Sequence, residues 1–178
     1  MIESERLVLR PWQDADIVPF MAVTNTPAVA RWLGGLQDET HYAEVAARMQ
    51  AEQAAHGHCF WIIERRTDAQ LLGACGIRRA GHAGTPVFGK PELGWRLRES
   101  AWGQGYAKEA ALATIAWAWA NLGDAELVAY TVPANLASWG LMEALGMQRR
   151  TAFDFDHPEF PAGHELCRHI TYAITRPL

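Results

Sequence analysis

Short apolar-rich segments of strand length recur along this chain, at residues 7–10, 60–64, 71–78, 92–97, 126–131, 147–153 and 166–174. Turns separate them, as around Asp68 between the second and third and in the glycine- and proline-bearing stretch 82–90 before the fourth. Longer stretches between them carry apolar residues at helical spacing. Asp14 is placed to cap a short helix that runs to Ala22, with Asp16 in its first turn, and Thr26-Pro27 to open a second. Thr40 is placed to cap a helix over 41–55, with Val45, Met49 and Glu52 on roughly one face and Gly57 as its stop. A long helix is expected over 105–121, stopped by Gly123, with Leu112, Ile115, Ala116, Trp119 and Leu122 toward the core and Trp117 at the stripe's edge. Another is expected over 135–145, closed by Gly146. Antiparallel strands followed by a strand–helix–strand unit give a mixed α+β order.

The densest chemical signal lies where the strand over 92–97 runs into Trp102-Gly103-Gln104-Gly105-Tyr106-Ala107 and straight on into the long helix. A tight turn at a helix N-terminus leaves backbone N–H groups unpaired. Those groups and the helix dipole suit phosphate oxygens. Gly103 and Gly105 let a ligand approach the backbone with no Cβ in the way. The implied ligand is anionic and bears a diphosphate. A nucleotide P-loop needs Gly-Lys-Ser/Thr to close the turn, and Tyr106, Ala107 and Lys108 follow Gly105 instead. A dinucleotide fingerprint needs a third glycine where Lys108 stands.

This stretch resembles motif A of the GCN5-related N-acetyltransferases (GNAT), Gln/Arg-x-x-Gly-x-Gly/Ala, in which Gly105 and Ala107 match the last two fixed positions. Trp102 replaces the first Gln/Arg, as in the RimJ/RimL-type branch with its Trp-Gly-x-Gly-Tyr-Ala form. Asn135-Leu136-Ala137-Ser138 followed by 142–147, and the opening at 5–12, are similar to further elements of that branch. The resemblance spans nearly the whole chain. It implies a GNAT acyl-CoA N-acyltransferase fold over 1–178 as a single domain. A mixed six- to seven-stranded sheet would be flanked by helices and contain a splayed parallel strand pair.

It also implies acetyl-CoA as the cofactor and transfer of its acetyl group to a primary amine, on a small molecule or a protein N-terminus, in a ternary complex. Arg96, Leu97 and Arg98 are then expected along the pantetheine. Trp102, Gly103, Gln104, Gly105, Tyr106, Ala107 and Lys108 are expected around the diphosphate. Asn135 reads both as a helix cap and as a cofactor contact. Glu92 is the expected base, acting through water or with a raised pKa, and its bland alternative is a strand-end carboxylate in solvent. Ser138 is the expected proton donor to the leaving thiolate. Other members use a tyrosine at the position of Met142, which cannot donate. Glu109 reads as a complement to the helix dipole. Trp32, Leu36 and His157 are expected to rim the acceptor side. The alternative is a non-catalytic acyl-CoA sensor on the same fold.

Composition narrows the partners. A net charge of −4 over 178 residues argues against non-specific nucleic-acid binding. No apolar run has the length of a membrane span and no signal-peptide core opens the chain, so a cytoplasmic protein is expected. Cys59, Cys75 and Cys167 are too widely spaced to suggest a zinc site or a disulfide framework, and no metal is expected. His157, His164 and His169 gather in the tail, a spacing that reads as incidental. A homodimer is compatible with the chain and is not encoded in any motif.

Overall fold

The fold is seen in a computed structural model, which describes residues 1–177. Six strands carry the sheet: β2 (Leu7–Arg10), β3 (Phe60–Arg65), β4 (Leu71–Arg79), β5 (Pro91–Leu97), β6 (Glu126–Thr131) and β9 (Arg168–Thr175). Three two-residue strands extend its margins: β1 (Ile2–Glu3), β7 (Gln148–Arg149) and β8 (Phe155–Asp156). The order is β1-β2-β3-β4-β5-β6-β9-β7, with β8 also on β9. Every pairing is antiparallel except β5 with β6. This is the mixed, helix-flanked sheet with one parallel pair that the sequence led us to expect.

Five helices complete the fold: α1 (Ile17–Thr24), α2 (Pro27–Ala30), α3 (Glu39–His56), α4 (Tyr106–Asn121) and α5 (Leu136–Ala144). The strand period of two sorts them onto faces. Cys75 pairs with Trp95, and its Sγ meets Thr114 of α4 at 3.7 Å. Ala74 pairs with Arg96, whose guanidinium lies 6.0 Å from the Phe20 ring of α1. So α4 covers one face, while Glu92, Gly94 and Arg96 look toward α1 and its partner α3 on the other.

Three local expectations need correcting. Asp38, not Thr40, caps α3, its Oδ1 accepting the His41 N–H at 2.9 Å, so the helix starts two residues earlier than expected. Gln13 occupies the cap before the turn 14–16, and the Asp16 carboxylate accepts the Gln13 N–H at 2.7 Å. The residues after Gly146 form only the two-residue β7 and then a 3-10 turn at Thr151–Phe153. The Asp154 carboxylate takes the Thr171 N–H there (3.0 Å), which replaces a ladder bond.

The buried face of α4 matches the expected stripe in part: Ile115 is buried and Trp119 and Leu122 pack against the core, whereas Leu112 and Ala116 do not. Tyr106, Ala110, Ala111, Thr114, Ile115 and Ala118 are buried, while Leu112 is 47% exposed and Ala116 is exposed. The helix is apolar nearly all round, so periodicity does not select a face. Small alanines let α4 approach the sheet closely, and the larger Leu112 points away. The helix ends at Asn121, with Leu122 rather than Gly123 in the cap position.

Gly73 sets the spacing of β4 and β5. Its φ is +148°, and a Cβ there would lie 2.1 Å from the Arg96 carbonyl oxygen. Gly73→Ala is therefore expected to lower stability by about 3 kcal/mol or more, read as a lower urea midpoint with unchanged slope.

Candidate active site

The site begins where the parallel pair fails. β5 and β6 share one residue pair, Glu92 with Val128, and then diverge. The opening is a cleft of about 590 Å³ that reaches from Thr131, Asn135 and Ser138 across Gly94 and Arg96 to α1 and α3.

At one end of the opening stands the glycine turn. The Trp102 indole donates to the Leu97 carbonyl at 2.9 Å and packs over the turn, half-exposed rather than in the core. Gly103 (φ 70°) and Gly105 (φ 79°) are both left-handed, and a Cβ on Gly103 would meet nothing within 4 Å. The first amides of α4, those of Tyr106, Ala107 and Lys108, have no intrahelical partner by geometry. The Gln104 carbonyl accepts from Arg6 Nη1 (3.0 Å), and the Arg6 guanidinium lies 4.5 Å over the ring of buried Tyr106.

Glu109 does more than complement the dipole. It accepts from Ser4 Oγ (2.7 Å), Arg6 N (2.7 Å) and Arg6 Nε (2.6 Å), locking the β1–β2 turn onto α4. Burial pushes its pKa up, but these hydrogen bonds outweigh that and hold it below the usual range. Lys108 is exposed beside this turn.

The strand edge is partly committed already. The Leu97 carbonyl serves Trp102, and the Arg98 N–H donates to Leu72 of β4 at 2.8 Å. Leu97 is buried, and the Arg96 side chain lines the cleft on the α1 face.

Glu92 is not a strand-end carboxylate in solvent. Its Oε2 is 3.0 Å from Arg78 Nη2 and accepts from the Tyr130 hydroxyl at 2.6 Å. Burial, then the Glu92 charge, pushes the Tyr130 phenol well above its ordinary range, so it remains a donor. Asn135 sits at the cap position of α5 but does not cap it. Its amide donates to Thr131 Oγ1 at 3.0 Å, tying α5 to the end of β6. Ser138, one turn into α5, lines the cleft beside buried Met142.

On the far side, Trp32 lines the cleft under the Arg31 guanidinium, 4.4 Å away. Leu36 does not: it is 58% exposed and outside the cleft, where Leu33 stands instead. The loop after α2 turns at left-handed Gly34 and Gly35, which carries the chain away from the opening before Leu36.

His157 lines the cleft, together with residues to which no motif pointed: Arg48, Arg78, His82, Tyr130 and His169. His82 packs 4.1 Å from His157, and His157 lies 5.1 Å from His169. Of the tail histidines, His157 and His169 join His82 from the loop before β5, while His164 stacks on Phe160 outside the cleft. No group of His, Cys, Asp and Glu suited to a metal ion occurs among the described residues. Burial lowers all three imidazoles, aided by Arg78 at His82 and by His82 at His157, and His169 falls to about 4.

A base with a lowered folded pKa binds fewer protons when folded, so stability is lost as pH falls below the unfolded value near 6.5. His169 alone is expected to cost on the order of 2 kcal/mol of stability between pH 7 and pH 5. Urea midpoints across that range should fall, and His169→Gln should flatten the profile.

Comparison with known proteins agrees with this geometry. Residues 6–148 match the Acetyltransferase (GNAT) domain family. The chain is 30% identical over 145 residues to the uncharacterized protein YkkB of Bacillus subtilis (strain 168), covering 81% of this chain and 83% of that one. The crystal structure of the acetyltransferase from Agrobacterium tumefaciens str. C58 superposes with a TM-score of 0.77 at 29% identity, over 97% of this chain and 92% of that one. The spermidine N-acetyltransferase from Vibrio cholerae, in complex with CoA and spermine, shares the fold at a TM-score of 0.73 and 12% identity, over 97% of each chain. Because the family match takes in every element from β2 to α5, the splayed pair and the glycine turn among them, the protein belongs to the GNAT acetyltransferases.

Proposed function

We propose that this protein is an acetyl-CoA-dependent N-acetyltransferase of the RimJ/RimL branch, acting on a primary amine by direct attack in a ternary complex. The observation that carries the reading is the one-pair parallel ladder opening beside the left-handed glycine turn of α4. It leaves part of a strand edge and the first amides of α4 without partners among the described residues.

The residues present fit acetyl-CoA, which supplies an activated acyl thioester when bound. Gly103, Gln104, Gly105 and the first amides of α4 would hold the diphosphate, with Lys108 as a nearby point charge and Trp102 bracing the turn. Because the Leu97 carbonyl is taken by Trp102 and the Arg96 carbonyl faces β4, the backbone of β5 upstream of Arg96 is the part that would meet the pantetheine. Asn135 supports this wall through Thr131.

Glu92 marks the point where the strands part, so we assign it the amine proton, passed through water. A carboxylate is a weak base for an ammonium, about six pKa units apart for lysine. The cationic wall of Arg48, Arg78 and Arg96 assists by disfavouring the charged amine. Ser138 is the hydroxyl placed to protonate the leaving thiolate, since Met142 has no proton to give. A cytoplasmic, single-domain enzyme belongs to the same reading. Among the described residues no helix is long and apolar enough to cross a membrane.

Calorimetry is expected to give a 1:1 acetyl-CoA isotherm that Gly105→Val weakens at least about tenfold, by straining φ and crowding the turn. No heat with acetyl-CoA would sink the reading. With a turned-over amine, Ser138→Ala is expected to lower kcat about a hundredfold at unchanged acetyl-CoA KM, and unchanged kcat removes Ser138 from the chemistry. Glu92→Gln is expected to remove the acid limb of the kcat pH profile; an unaltered profile removes Glu92.

A further inference from the structure

The cleft carries more positive charge than it neutralises. Arg48, Arg78 and Arg96 line it against Glu92 and Glu159, in a chain whose net charge is −4. Several arginines elsewhere are matched locally: Arg10 binds Asp16 and Glu64, Arg79 binds Asp124, and Arg149 binds Asp154. In the cleft only Arg78 has a counter-charge, Glu92, and its Nε is buried with no hydrogen-bond partner among the described residues. Glu159 is exposed at the rim.

Arg96 reaches no carboxylate within ion-pair distance among the described residues, and lies over the Phe20 ring. Arg48, on α3 at the mouth of the cleft, is likewise unpaired among the described residues. Burial lowers both guanidinium pKa values, with the Arg78 charge adding to the effect at Arg48 and the Arg48 charge at Arg96. Leaving the part-buried Arg96 guanidinium without an anion is costly, while Arg48 stands exposed at the mouth, where a ligand can reach it. These arginines look toward α1 and α3, whereas the amides of the glycine turn belong to α4 on the opposite face. The two anion-seeking features are therefore separate.

We propose that the acceptor is a small primary amine that carries its own carboxylate, an amino acid or close derivative. Arg48 and Arg96 hold that carboxylate while the amine faces the splay. This rests on the N-acetyltransferase reading and deepens it. The neutral His82, His157 and His169, with Trp12, Trp32 and Phe160, form an aromatic wall suited to an apolar side chain. A polyamine would bring a second cation against three guanidinium groups, so the arrangement selects against it.

The test is a matched panel read by free thiol: phenylalanine against phenethylamine, leucine against isoamylamine, and spermidine. A charge-assisted contact to the carboxylate is expected to favour the amino-acid member of each pair at least about tenfold in kcat/KM. Arg48→Gln should raise the KM of that member by a similar factor and erase the preference, with acetyl-CoA affinity by calorimetry unchanged. Equal rates within the pairs, or faster turnover of spermidine, overturn the inference and leave the acetyltransferase reading standing. If no amine in the panel turns over, calorimetry on the CoA-saturated protein decides. N-acetylphenylalanine binding more tightly than N-acetylphenethylamine supports the inference, and equal or absent heats overturn it. Absence of any heat with acetyl-CoA itself overturns both readings, a result distinct from the others.

Discussion

A parallel ladder that stops after one residue pair is the constraint to which the rest of this molecule answers. β5 is bound to β4 through seven pairs, and β6 to β9 through six, yet β5 and β6 meet only at Glu92 and Val128. Each strand is claimed by its antiparallel neighbour, so the two half-sheets keep their own directions and part company. Gly73 tightens the claim on β5, because its missing Cβ lets the Arg96 carbonyl sit against β4. A sheet with full pairing at this point would have no cleft, and the amides of α4 would face no opening.

The surroundings hold the two lips of the opening in place. Glu109 fastens the first turn of the chain to α4, so the glycine turn is braced by residues about a hundred positions away. Asn135 fastens α5 to β6, and Trp102 fastens the turn to the end of β5. Buried hydrogen bonds of this kind fix geometry because a broken one leaves an unpaired polar group behind. The cleft is thereby bounded by braced elements beside the glycine turn and α5. Across from them its walls are α1, α3 and the histidine-bearing loops.

Much of this was legible in the chain. Strand bounds such as 126–131 came through because short apolar runs are punctuated by glycine and polar residues. The turn 102–107 was legible because its chemistry is local: glycines, a helix start and unpaired amides lie within a few consecutive residues. The buried face of α4 was legible only in part, since a helix rich in alanine offers little contrast between its sides. The cap of α3 was misplaced because Asp38 and Thr40 both suit the role, and the choice depends on where the loop delivers the chain. Leu36 failed for a similar reason, the course of a glycine-broken loop being a tertiary matter.

The sequence by itself determined the mixed α+β order, the family, and the position of the glycine turn that opens α4, because each rests on neighbours along the chain. Only the tertiary structure decided what stands around Glu92. Arg78 comes from β4, Tyr130 from β6, Arg48 from α3, and the three imidazoles from a loop and two ends of the C-terminal hairpin. No spacing links them, since charge and burial act through space. Whether an arginine is paired or a histidine neutral depends on which distant residues the fold sets beside it.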